Sequence, residues 1–137
     1  MKRRTLPDSA LADAPVPLAP GVASRLEGLV AALASLRGPE EFRRFLIDLC
    51  TPAELEAMAD RWAVVPELAD GRAYREIHER TGVSVTTIGR VARCLALGAG
   101  GYRVAAERLG HLAPGAALAA PQAEAVAPAI HGPGDTH

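Results

Sequence analysis

Residues 74–97, YREIHERTGVSVTTIGRVARCLAL, constrain this chain more than any other stretch. Their spacing predicts two short helices joined by a tight turn. The first runs from Tyr74 to Thr81, with Ile77 inward and Arg75, Glu76, Glu79 and Arg80 on a solvated face. Gly82 then stands where the chain must turn sharply, because glycine accepts a positive φ without steric cost. Val83 is apolar and plugs the corner between the helices. Ser84 is a good N-cap, since its hydroxyl can satisfy a free amide of the next helix. That helix runs from Val85 to Leu97, and Ile88, Val91 and Leu95 recur at helical spacing to form its buried stripe.

The opposite face of the second helix shows Thr86, Thr87, Gly89, Arg90 and Arg93, and no acid. Threonine offers a hydroxyl to a base or phosphate and a methyl to thymine. Arginine forks onto guanine or clamps a phosphate. A mid-helix glycine costs about 1 kcal/mol relative to alanine, so its presence away from the core points to a need for close approach. The whole arrangement matches a helix-turn-helix, which lays its second helix in the major groove of DNA. Two ordinary amphipathic helices packed at an angle would share this spacing, so charge has to separate the two readings. Residues 72–110 hold seven arginines against three glutamates, a net of +4, whereas residues 38–71 hold three arginines against eight acids, a net of −5. The total of −1 is silent about nucleic acid. The distribution is not, because a basic lobe on an acidic body attracts a polyanion and orients it. The candidate DNA-binding residues are therefore His78 on the outer face of the first helix, Ser84 at the helix start, and Thr86, Thr87, Gly89, Arg90 and Arg93 on the second.

A chain of 137 residues allows one small domain. Residues 1–20 and 111–137 are rich in Ala, Pro and Gly and lack a sustained apolar period. Such segments cannot bury enough surface to offset the entropy of ordering, so both read as disordered tails. The packed domain is then 21–110, small for an independent core, and dimerisation would help it. No apolar run is long enough to span a membrane and no secretory signal is evident, which implies a cytoplasmic, nucleoid-associated protein. Cys50 and Cys94 are isolated on apolar helix stripes and read as reduced core residues. Histidines 78, 111, 131 and 137 have no metal-ligand spacing, so no metal is expected. No glycine-rich phosphate loop follows a strand, no period-two segment is long enough for a sheet, and no helix face groups a nucleophile with a base. An enzyme therefore has little support.

Three further helices are predicted upstream. In the first, Val22, Leu26, Leu29, Leu33 and Leu36 form a narrow seam suited to a partner helix, ended by Gly38-Pro39. The second spans about 40 to 50, with Phe42, Phe45, Leu46, Leu49 and Cys50 on one face. The third opens on Thr51-Pro52-Ala53-Glu54, a capping box with proline at the first helical position. It turns Leu55, Met58, Trp62, Val65 and Leu68 inward and ends at Gly71. Pro66 should kink it, or break it near Val64 to Pro66, because proline deletes a backbone hydrogen bond. After the glycine run Gly98 to Gly101, helical spacing resumes through Tyr102, Ala105, Ala106 and Leu109.

The segments LCTPAELEAMADRW, GRAYREIHERTGVSVTTIGRVARCL and GAGGYRVAAERL resemble the Trp-repressor superfamily, and most of all its repressor-related branch labelled YerC/YecD. The likeness covers about residues 40–110 and leaves the tails outside. It implies an all-α subunit of six helices, with two subunits intertwined through their N-terminal helices as a homodimer. It also implies one helix-turn-helix per subunit, together reading a two-fold operator. By position, Arg75 matches a phosphate-contacting arginine, and Val85, Thr86 and Thr87 match the base-facing start of the recognition helix. Arg61 and Arg90 stand where the tryptophan-binding members hold the indole between two arginines. The chain departs from those members in three places, one being a stretch between Gly71 and Gly82 that is one residue shorter. Val91 replaces a glycine that leaves room for the indole, and Cys94 replaces a serine. Overpacking such a slot costs typically about 1–3 kcal/mol, so tryptophan is not expected as effector and no cofactor is expected. Arg61 then has a plain alternative, pairing with Asp60 or Glu67 of the acidic body.

The expectation is a homodimeric regulator of transcription that binds double-stranded DNA, and a repressor rather than an activator, because no separate activating surface is evident. A small-molecule effector is not identifiable. The competing expectation is a helical interaction module that kept the fold and lost DNA binding.

Overall fold

The computed structural model describes residues 17–118, which form six helices and no strand. They are α1 (Pro20–Ala34), α2 (Gly38–Leu49), α3 (Pro52–Ala69), α4 (Tyr74–Thr81), α5 (Val85–Leu97) and α6 (Gly101–Arg108). The all-α class and the six-helix order match the expectation. What was expected of 1–16 and 119–137, including most of both tails, lies outside the described residues.

The chain divides into two compact units, with the boundary between Met58 and Ala59 inside α3. In the first unit, α1 closes at Ala34, and the Ser35 hydroxyl donates to the Ala32 carbonyl at 2.7 Å. Gly38-Pro39 was expected to end α1; instead it opens α2, where proline's missing amide has no helical partner to lose. Glu40 and Glu41 follow in the first turn of α2, where negative charge suits the helix dipole. The capping box of α3 forms as read. Glu54 N–H donates to Thr51 Oγ1 at 3.1 Å, and Thr51 N–H donates to Glu54 Oε1 at 2.8 Å. Neither α1 nor α2 buries a single residue. Val22, Leu26, Val30, Phe42, Ile47 and Leu49 remain between 39% and 58% exposed.

The second unit holds the core. Val64 and Val65 of α3, Ile77 of α4, and Ile88 and Val91 of α5 are its most enclosed side chains. Val64 was not among the residues expected inward. Leu55, Met58, Trp62 and Leu68 were, yet they are only half-buried. Of the kink or break expected at Pro66, the break does not occur. Pro66 lies in the last turn of α3, and the helix continues through it to Ala69. The neighbouring Asp70 N–H still reaches the Pro66 carbonyl at 3.1 Å, and the buried valines hold the turn closed.

The packed unit also passes the expected boundary at 110. Leu112 is buried, and His111 N–H donates to the Ala106 carbonyl at 2.8 Å. The Trp62 ring lies 6.3 Å from both the Tyr102 and the His111 rings. The cause is local: Gly110, at φ +84°, folds the chain back onto α6. Cys94 is exposed and Cys50 half-buried, so neither is the core residue expected. Cys94 precedes Leu95 by one position and so stands about 100° around α5 from the buried stripe.

Candidate nucleic-acid interface

The two helices and turn fall where the sequence placed them. Gly82 closes α4 in the left-handed region at φ +79°, with its N–H bonded to the His78 carbonyl at 2.8 Å. Two side chains that the sequence reading did not assign to the turn brace it. Thr81 Oγ1 donates to the Ile77 carbonyl at 2.7 Å and accepts the Val83 N–H at 3.1 Å. His78 Nδ1 donates to the Val83 carbonyl at 2.8 Å, since a carbonyl can only accept. This bond is local, five residues apart, and could have been suspected from a histidine one turn before the glycine. It fixes the imidazole on the turn. His78 remains exposed, leaving Nε2 as its outward polar atom.

Ser84 caps α5 as expected. Its Oγ accepts the Thr87 N–H at 3.1 Å and donates to Thr87 Oγ1 at 3.1 Å. Ser84 and the half-buried Thr87 are thus partly committed to each other. Val85, Thr86 and Arg90 are exposed, and so is Arg75 on α4. Arg93 is half-buried. Ile88, Val91, Ala92 and Leu95 form the inward face. The first turn of α5 carries no acid, so the positive end of its dipole is not offset by a nearby carboxylate. At the other end, α5 stops at Gly98, where the observed backbone leaves room only for glycine. A Cβ there would come within 2.5 Å of the Cys94 carbonyl oxygen.

Gly89 lies elsewhere than expected. It is half-buried on the flank of α5 rather than on its outward apex, and the nearest side-chain atom to a Cβ there would be Tyr74 Cε2 at 3.8 Å. That is ordinary van der Waals contact, so nothing inside the protein requires glycine at this position. The expected pairing of Arg61 with Asp60 or Glu67 is also absent. Glu67 is engaged by Arg72 and Arg80, and Arg61 forms no ion pair among the described residues. Arg61 is half-buried, Arg90 exposed and Val91 only 1% exposed.

An acid-free helix face of hydroxyls and guanidinium groups, offered by a braced turn, can reach into a groove. The family model described as Trp repressor protein matches residues 24–110. The chain belongs to the Trp repressor family. Among members of related sequence, it is 40% identical over 84 residues to the uncharacterized protein YerC of Bacillus subtilis (strain 168), covering 61% of this chain and 81% of that protein. It is also similar to the crystal structure of a TrpR-like protein from Eubacterium eligens ATCC 27750, with 39% identity, a TM-score of 0.61, and coverage of 65% of this chain and 92% of that one. A Trp repressor candidate from Staphylococcus aureus matches at 32% identity and a TM-score of 0.60, covering 64% and 87%. No helix among the described residues is long and apolar enough to cross a membrane.

Proposed function

We propose that this Trp repressor family member is a homodimeric, sequence-specific regulator that binds double-stranded DNA and represses by occupying its operator. One observation carries the reading. The α5 residues Thr86 and Arg90 are exposed while Ile88, Val91 and Leu95 on the other side of the same helix are buried. A helix divided in this way has a side to anchor and a side to read with. Two such helices in a two-fold dimer address half-sites about one helical turn apart, roughly 34–36 Å. Arg75 clamps a phosphate, and Val85, Thr86 and Thr87 face the bases. Arg90, Arg93 and His78 add contacts at the flanks. Membership of a regulator family supports a binding role.

The apolar residues left open on α1 and α2 supply the dimer surface. Tryptophan is not the effector, because Val91 occupies the position that an indole would need empty. Calorimetry should therefore give no saturable micromolar tryptophan binding. The function itself is tested by incubating purified protein with genomic fragments at near-physiological salt and sequencing what is retained. Recovery of a short palindrome is the expected result. Retention of no DNA at any salt would leave an interaction module as the better reading.

A further inference from the structure

The side chain of Glu67, near the end of α3, is only 18% exposed and receives two arginines on one oxygen. Arg80 Nε donates to Glu67 Oε1 at 2.8 Å across thirteen residues of sequence. Arg72 Nε lies 2.8 Å from the same oxygen as a close charge pair without hydrogen-bond alignment. The Arg72 guanidinium also donates to Glu76 Oε2 at 3.2 Å and approaches Asp70 at 3.7 Å. Arg72 precedes α4 by two residues, and Arg80 is the penultimate residue of α4. A single carboxylate on α3 therefore gathers both ends of this helix.

That arrangement matters because α4 has only eight residues. Helices shorter than about 12–15 residues are marginal on their own, so external contacts set where α4 lies. Tyr74 and Ile77 bury its inner side. Those two apolar contacts, three residues apart, hold its inner side, and ion pairs at both ends restrict its tilt further. The tilt of α4 passes through the braced turn at Gly82 directly into the direction of α5. The same contacts sort the arginines of the basic lobe. Arg72, Arg80 and Arg103 are committed to acids of this chain, whereas Arg75 and Arg90 form no ion pair among the described residues. The Glu67 hydrogen bond, with its charge, raises the Arg80 guanidinium above its ordinary value, as expected of a cation held by that carboxylate.

We infer that Glu67 is a positioning residue for DNA reading: by holding Arg72 and Arg80 it fixes the tilt of α4, and so separates operator from random sequence. This rests on the DNA-binding reading above. Electrostatics alone predicts the opposite sign. Glu67→Gln deletes a negative charge and releases two arginines, which by long-range attraction should tighten binding to every sequence. Positioning predicts that operator binding weakens while random-sequence binding holds or tightens. The ratio between them should fall on the order of tenfold, the equivalent of one lost base contact.

The experiment is a double-mutant cycle on the full-length protein with Glu67→Gln, Arg80→Gln and the pair, measuring operator and random-duplex affinity at two salt concentrations. Arg80 is half-exposed, so its variant leaves the core intact. The expected result is that both single variants lower the ratio, the double variant lowers it no further than either, and Glu67→Asp restores part of it. If the two single variants move operator affinity in opposite directions and the double variant, with its original net charge, returns to wild type, charge alone explains Glu67 and the inference fails. Amide exchange of α4 in the DNA-free protein is read alongside. It should quicken in Glu67→Gln. Unchanged exchange overturns the positioning role even if the wild type retains no DNA, whereas an absence of DNA retention with quickened α4 exchange overturns only the DNA-binding reading.

Discussion

Gly89 shows how a residue can be explained by what it does not touch. Alanine would fit at that site in ordinary contact with the Tyr74 ring, and the helix there has no left-handed φ to demand glycine. Glycine nevertheless costs about 1 kcal/mol in a helix interior. Gly89→Ala should therefore raise unfolding free energy by about that amount while weakening operator binding, because the added methyl meets the duplex flank. Thermal melts and a binding titration read the two effects on one sample, and a variant that gained stability with unchanged affinity would remove Gly89 from the interface. Arg75 and Thr86 divide in another way. Arg75→Ala should weaken binding to all sequences and flatten the salt slope by about one unit, whereas Thr86→Ala should mainly relax base preference. Affinity measured against salt and against a set of operator variants distinguishes the two. Side-chain type and helical phase were enough to nominate Thr86, whereas Arg75 was nominated through the family resemblance. Pattern alone did not give the half-burial of Gly89, which lies beside the Tyr74 ring of α4, or the roles of Thr81 and His78, which bond to carbonyls set by the turn.

At the level of elements, strong local signals were legible and tertiary ones were not. The Thr51–Glu54 box, the Ser84 cap and the Gly82 turn are each written within four residues, and each forms. Gly38-Pro39 was misassigned because proline ends one helix and starts the next with equal ease, and only the hydrogen bonds choose. At Pro66 the local rule predicts a kink or a break, yet the helix runs on to Ala69 beside the buried Val64 and Val65, a tertiary contact that local pattern does not show. The contacts beyond 110 are likewise tertiary. Residues 111–118 have a composition that cannot order itself, but Leu112 gains a site on the core, and Gly115 N–H finds Glu107 Oε2 at 3.2 Å. A chain ended at Gly110 should then lose about 1.5–3 kcal/mol relative to one ended at 118, the worth of one buried leucine. Denaturant unfolding of the two chains measures the difference. Equal midpoints would mean that the segment rides on the surface without stabilising it.

For the whole molecule, the asymmetry between the two units is the dominant fact. One has a core; the other, across α1 and α2, buries nothing while exposing six large apolar side chains. Within α1, Val22, Leu26 and Val30 follow one another at four-residue steps and so share a face. A free-standing helical pair of that composition has too little buried surface to offset its conformational entropy, and a second copy of the chain is the partner that the proposed function already requires. The proposed dimer converts this into a number. In a two-fold interface each residue counts twice, and burying one leucine side chain stabilises by about 1.5–3 kcal/mol. Leu26→Glu should thus remove at least about 3 kcal/mol from association, a loosening of more than about a hundredfold in Kd. Sedimentation should show the wild type as a dimer and the variant as a monomer at the same concentration. The unfolding midpoint of the wild type should rise with protein concentration, as it must for a dimer whose subunits fold together. DNA retention should vanish with the dimer, because one helix-turn-helix reaches only one half-site and loses the gain from tethering the second. A wild-type chain that sediments as a monomer, or a variant that keeps both dimer and operator, would place the interface elsewhere and leave the open face of α1 without this role.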